Sequence, residues 1–202
     1  MTRHRSTIKP NEVLIADASV IINLVASGFA KQLLSAIPNR LCVVDEIVAE
    51  LERGKSNGHK DAFELQELVS SNLVEIVSLT DKCWGVFEEL VCGSAATTLD
   101  DGEAATLAYC VVNHTVPVID ERKANRICRE KYSSLIPACS TDIFMQATTQ
   151  PSINDSLIST ALFNAIQHGR MRVMPPHMDW VIEKIGEDMV RHCSSLSKYA
   201  RS

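Results

Sequence analysis

No C-x-x-C pair occurs in this sequence, although it carries seven cysteines at positions 42, 83, 92, 110, 128, 139 and 193. Most sit in apolar surroundings such as "RLCVV" and "LAYC". An odd number without paired spacing favours buried free thiols in a reducing compartment over a disulfide framework or a zinc site. The six histidines show no ligand spacing either. No apolar run reaches the roughly 18 residues needed to span a bilayer. The stretch "VLIADASVIINLVA" is interrupted by Asp17 and Asn23, so it does not form the apolar centre of a secretion signal. The expectation is a cytoplasmic protein without a membrane segment. Positive charge is not in excess: 20 Lys and Arg stand against 25 Asp and Glu, for a net charge of −5. That argues against a generally basic nucleic-acid binder but leaves room for a local basic surface. Glycine and proline, at 8 and 7 residues, are not enriched, and no repeat or low-complexity tract occurs. Nucleotide-binding signatures, G-x-G-x-x-G or a P-loop, are absent.

What is present is enough apolar sequence, 46% of 202 residues, to fill the core of one domain with an appendage. Short, unalternating apolar runs read as buried strands: "VLIA" (13–16), "LCVV" (41–44) and "VPVI" (116–119). "VEIVSL" alternates like a half-buried strand. Helical patterns stand between them. One starts near Ala18, and "KQLLSAI" is stopped by Pro38. "DEIVAELERG" has Asp45 as its cap and Gly54 as its stop. "KDAFELQELVSS", "DKCWGVFEELV", "DDGEAATLAYCVVN" and "DERKANRICREKY" follow. Strands alternating with helices mean an α/β fold with a mostly parallel sheet. From residue 150 only helical patterns remain, "SLISTALFNAIQHG" and "HMDWVIEKIGEDMVRHC".

The acids recur in one kind of place. Asp17 follows the first strand and Asp120 follows "VPVI", so both emerge at the carboxyl edge of a parallel sheet, where ligands bind. Glu103 lies in the first turn of the helix before the Asp120 strand. Glu50 lies on the helix after the second strand, one turn beyond Glu46. Taken singly, each acid has an ordinary explanation. Asp17 and Asp120 suit helix caps, Glu103 stands three residues after Asp100 as in a capping box, and Glu50 can pair with Arg53. Taken together, independent caps have no reason to converge on one edge. Carboxylates gathered in a cleft repel one another unless divalent cations neutralise them. Oxygen-only donors select Mg²⁺ or Mn²⁺, and such a site suits phosphodiester hydrolysis. Ser19 would hold a carboxylate or a metal-bound water, or else make a local backbone bond. No Ser-His-Asp order demands a covalent intermediate.

Read in order, "IADASVIINL", "DEIVAEL", "LDDGEAATLAYC" and "VIDERKANR" resemble the PIN-domain ribonucleases, and especially the toxin-like subgroup whose third motif reads Gly-Glu-Ala. The resemblance implies a three-layer α/β/α fold with a short, mostly parallel central sheet. The resemblance covers about residues 12–132, extending at most to 149; with the basic start and the helical end of the sequence, the expected division is a basic N-terminal arm (1–12), a catalytic domain (13–149) and a helical C-terminal extension docked on it (150–202). The resemblance also implies Mg²⁺- or Mn²⁺-dependent endonucleolytic cleavage of RNA, single-stranded or structured, with Asp17, Glu50, Glu103 and Asp120 as catalytic metal ligands and Ser19 beside the first. Many members of that family are toxins held by a small protein antitoxin, often as dimers. Glu46 competes with Glu50 as the second acid, and Glu121, Asp101 and Asp142 are additional candidates. The rival reading is a non-catalytic PIN-like module that binds RNA or protein.

For the polynucleotide, Arg122, Arg126 and Arg129 fall at i, i+4 and i+7 on one helix, with Lys123 and Lys131 nearby. This stripe would hold phosphates, with Arg122 and Arg126 nearest the acids; the alternative is a solvated face paired with Glu121 and Glu130. Arg3, His4, Arg5 and Lys9 read as a disordered arm. Trp84 and Trp180 read as packed side chains. Met171, Met174, Met178 and Met189 read as core filling, and "GRMRVMPPHMDW" as a turn returning the last helix to the domain.

Overall fold

The structure, a computed structural model, describes residues 6–55, 60–193 and 196. Four strands form one parallel sheet: β1 (Val13–Ala16), β2 (Arg40–Val44), β3 (Val74–Val77) and β4 (Val116–Val118), in the order β3-β2-β1-β4. In β1, Leu14, Ile15 and Ala16 are all buried, and in β2 so are the four residues from Leu41 to Val44. Successive strand residues point to opposite faces, so this pattern requires helices on both sides of the central strands. The result is the expected α/β/α sandwich. β3 is the edge strand, and only Val74 of its four residues is fully buried, while Ile76 faces out.

The helices are α1 (Ala18–Ala26), α2 (Ala30–Ala36), α3 (Asp45–Lys55), α4 (Asp61–Ser70), α5 (Asp81–Val91) and α6 (Asp101–Asn113). After β4 come α7 (Arg122–Lys131), α8 (Ser140–Ala147) and α9 (Asp155–His168). A 3₁₀ turn (Pro175–His177), α10 (Met178–Ile185) and α11 (Glu187–Val190) close the described chain. α6 packs on α5, α3 and the sheet through a run of small buried residues: Gly102, Ala104, Ala105 and Ala108. Small side chains bring its first turn close to the strands. Its end, at His114, adopts the left-handed conformation that terminates many helices.

Several boundaries differ from the sequence expectation. α3 begins directly at Asp45 and runs through Gly54 to Lys55, because packing outweighs the roughly 1 kcal/mol cost of a helical glycine. The last helical pattern is broken at Gly186, whose φ of +85° lies outside the helical region. Ala138 makes a parallel bridge to Val118, extending the sheet past β4 by a single residue pair. The N-terminal arm is not loose where it is described. Ile8 is buried, the Thr7 N–H donates to Asp142 (2.7 Å), and Asn39 holds the carbonyls of Lys9 (2.8 Å) and Glu12 (3.0 Å). Arg3, His4 and Arg5 lie outside the described residues.

The segment after residue 150 lies against the rest. α9 packs on α1 and α10 on α9, burying Ile158, Leu162, Ile166, Trp180, Val181 and Ile185. Asn164 donates to the Ser27 carbonyl (3.1 Å), and Lys184 pairs with Asp155 (2.6 Å). Met171 and Met178 fill the core, whereas Met189 is exposed. Trp180 is packed as expected, but Trp84 is 45% exposed, with Phe87 edge-on to it at 5.4 Å. Among the described residues no single helix is long and apolar enough to cross a membrane.

Candidate active site

β1 and β4 are neighbours in register, Ala16 beside Val118. Asp17 and Asp120 therefore leave the sheet side by side at its carboxyl edge. Asp17 occupies the N-cap position of α1, yet its side chain makes no capping bond. It is buried and accepts instead from the Ser19 hydroxyl (2.9 Å). Burial lifts its pKa to about 6; the Ser19 bond acts the other way, and Asp100 and Asp120 add repulsion.

Asp120 is not a cap either. That role falls to Glu121, whose carboxylate accepts from the N–H groups of Lys123 and Ala124. Asp120 is gripped from three directions. Ser140 N–H reaches Oδ1 (2.8 Å), while the Ser140 hydroxyl (2.5 Å) and Asn23 Nδ2 (2.6 Å) reach Oδ2. Burial still raises its pKa, with these donors opposing.

Glu103 divides its two candidate roles. Its backbone N–H donates to the Asp100 side chain (2.9 Å), so the cap of α6 belongs to Asp100. The Glu103 carboxyl is buried, and burial, with Asp100, Asp17 and Glu121 adding to it, pushes its pKa to about 8. Glu50 reaches the same region from α3. Its pKa rises to about 7 through burial and the charges of Asp17 and Asp100, against the pull of Arg53. A Cβ placed on Gly102 would lie 2.6 Å from Glu50 Oε2 and 2.8 Å from Ile47 Cδ1. Glu50 thus rests on a helix backbone that only glycine leaves bare.

The fold brings Asp17, Glu50, Glu103 and Asp120 together. Asp100, read from sequence only as a cap partner, joins them electrostatically. Glu46 contributes to none of these shifts, and one of its oxygens is buried without a hydrogen-bond partner. Asp101 is exposed. Glu121 is engaged as a cap.

Asp142 has partners of its own and acts on the cleft only through its charge, which adds to the rise in the Asp120 pKa. Its Oδ2 accepts from Cys139 N–H (3.0 Å) and Cys139 Sγ (3.2 Å) and lies 3.4 Å from His177 Nε2. Burial works against its charge, but His177 and the Thr7 N–H hold its pKa down at about 2. This grouping of Cys139, Asp142 and His177 was not legible from cysteine or histidine spacing.

The basic stripe is split. Arg122 and Arg129 line a cavity of about 420 Å³ with Asn125. Arg126 turns to the Ala96 carbonyl (3.0 Å) and to Glu130 (3.3 Å).

The carboxylates suit a hard divalent cation. All are oxygen donors, burial makes their ionised forms costly without a counter-charge, and Asp17, Glu50 and Glu103 retain free lone pairs. Asp120, with three donors already on it, is the least available of the four.

Such an acidic cleft at the edge of a short parallel sheet is the arrangement of a PIN-like fold, and a family model described as a PIN domain matches residues 13–187. The chain belongs to the PIN-domain family, which implies nuclease-type activity and, in general, the use of divalent metals. Comparisons with curated proteins and with solved structures returned no match.

Proposed function

We propose that this protein is a Mg²⁺- or Mn²⁺-dependent endoribonuclease that hydrolyses phosphodiester bonds in RNA. The observation that carries this reading is the convergence of Asp17, Glu50 and Glu103, from three separate elements, on one region, where Asp17 raises the pKa of both Glu50 and Glu103. Asp17, Glu50 and Glu103 would hold the cation directly, with Asp120 completing the set through its remaining acceptor capacity. Bound there, the cation supplies an activated water at neutral pH and charge for the leaving oxygen.

The chain's own residues set the geometry. Ser19 fixes the rotamer of Asp17, and Asn23 and Ser140 fix that of Asp120. Arg122, one residue beyond the Glu121 cap, is the proposed phosphate contact, and Arg126 a weaker one because it is already engaged. On the resemblance alone, the proposal extends to a toxin restrained by a small protein antitoxin, and to a homodimer.

The test is cleavage of labelled single-stranded RNA by the full chain in Mg²⁺ or Mn²⁺, beside an EDTA control and a folded Asp17→Asn variant. Cleavage lost in both controls supports the assignment. RNA binding without cleavage under any metal condition would favour the non-catalytic module instead.

A further inference from the structure

A second group of metal-ligating side chains stands at the α8 N-terminus, beside the carboxylate cleft and close enough to Asp120 to feel its charge. Ser140 bonds Asp120, while Cys139 and Asp142, on either side of it, bond each other. There they meet His177, delivered by the turn Met174-Pro175-Pro176, in which two prolines fix φ near −65°. All three side chains are buried, and all three line the cavity of about 420 Å³.

The two separations to Asp142 are in the range of a metal site. Sγ of Cys139 and Nε2 of His177 lie 3.2 and 3.4 Å from Asp142 Oδ2, and all three ligand atoms fall within 4.8 Å of one another. Ligands held about 2.0–2.3 Å from a tetrahedral zinc stand roughly 3.3–3.6 Å apart. As a hydrogen-bond set the group is crowded. Cys139 N–H, the Cys139 thiol and His177 all converge on Oδ2, which has two lone pairs, while Oδ1 takes the Thr7 N–H. A cation in place of the thiol and imidazole protons relieves that crowding.

We propose that Cys139, Asp142 and His177 form a zinc site, separate from the carboxylate cleft, with its fourth position open to the cavity. One sulfur, one nitrogen and one oxygen donor select a borderline-soft ion such as Zn²⁺ over Mg²⁺. On binding, the S–H bond breaks as the S–Zn bond forms, and the proton leaves to solvent. The imidazole binds through the Nε2 lone pair, with its proton on Nδ1. Water fills the fourth position. The ion would join three distant parts of the chain, since Thr7 is held on Asp142 Oδ1, Cys139 precedes α8, and His177 precedes α10.

Cobalt(II) titration of the metal-free full chain is the test. One equivalent should give tetrahedral d–d bands and a thiolate-to-cobalt charge-transfer band, and Zn²⁺ should displace it. The band should vanish in Cys139→Ser and persist in Cys92→Ser and Asp17→Asn. His177→Gln should weaken binding by more than the roughly 10- to 100-fold typical of losing an outer partner of a ligand. X-ray absorption of the zinc-loaded wild-type chain needs no variant and should find one sulfur at about 2.3 Å. A sulfur-free zinc shell, or a cobalt band retained in Cys139→Ser, overturns the site.

Discussion

Asp17 and Asp120 leave adjacent strands, yet the protein holds them differently. Asp17 has a single side-chain donor, Ser19, whereas Asp120 has Asn23 and both donors of Ser140. Asp17→Asn is therefore expected to abolish metal-dependent cleavage without lowering the metal-free melting temperature, because it removes a buried charge that Asp100 and Asp120 repel. Parallel RNA cleavage and calorimetry in EDTA check both halves. For Glu103 the cap and the carboxyl are separable. Glu103→Gln should keep stability and lose most Mn²⁺ affinity, while Asp100→Ala should cost about 1 kcal/mol as the true cap. Mn²⁺ titration with melting curves decides; wild-type metal affinity in Glu103→Gln would remove Glu103 from the site. The four acids could be picked out from the sequence because an acid after an apolar strand, or in a first turn, has a readable position. Asn23 and Ser140 could not, since they act on Asp120 from 97 and 20 residues away.

At the scale of elements, the first turn of α6 is where packing and chemistry meet. Gly102→Ala would normally favour a helix by about 1 kcal/mol. Here the new Cβ meets Glu50 Oε2 and Ile47 Cδ1 well inside contact distance. Both are ends of flexible side chains that can swing aside, so stability in urea should change little while the displaced Glu50 carboxylate weakens Mn²⁺ binding. A more stable variant with unchanged metal binding would contradict the close seating of Glu50. On α7, Arg122→Ala should flatten the salt dependence of RNA binding by about 0.7 in log K per log salt. Arg126→Ala should change it less, because Ala96 and Glu130 already engage that guanidinium. Binding titrations at several salt concentrations distinguish them. Helices and buried strands were legible from periodicity and apolar runs, because those patterns report burial directly. The break at Gly186, the continuation through Gly54 and the strap of residues 6–12 were not, because tertiary contacts decide them.

For the molecule as a whole, the raised carboxyls set a pH dependence. The pKa values of Asp17, Glu50 and Glu103 rise in the fold from 3.8, 4.5 and 4.5 to about 6, 7 and 8. Their contribution to stability is full below the unfolded values and is lost as pH rises through the folded ones. Asp142, held at about 2, gives the opposite dependence, but only in strong acid. Metal-free protein should therefore melt lower at about pH 8.5 than at about pH 5, and Mn²⁺ should reverse the order. Calorimetry in EDTA and in Mn²⁺ checks this; a metal-free melting point that climbs steadily with pH would contradict it. Truncation at residue 150 should expose the α9 contact on α1 and lower solubility, which a monomeric, equally stable fragment would refute. The Asp17 N–H donates to the Val118 carbonyl (3.1 Å), which ties the first acid, at the end of the interior strand β1, to the neighbouring strand β4. Amides in such central ladders exchange with deuterium only when the entire fold opens. The strand end that carries Asp17 is thus expected among the slowest-exchanging parts of the protein. Heat inactivation should then follow the global unfolding transition and not precede it.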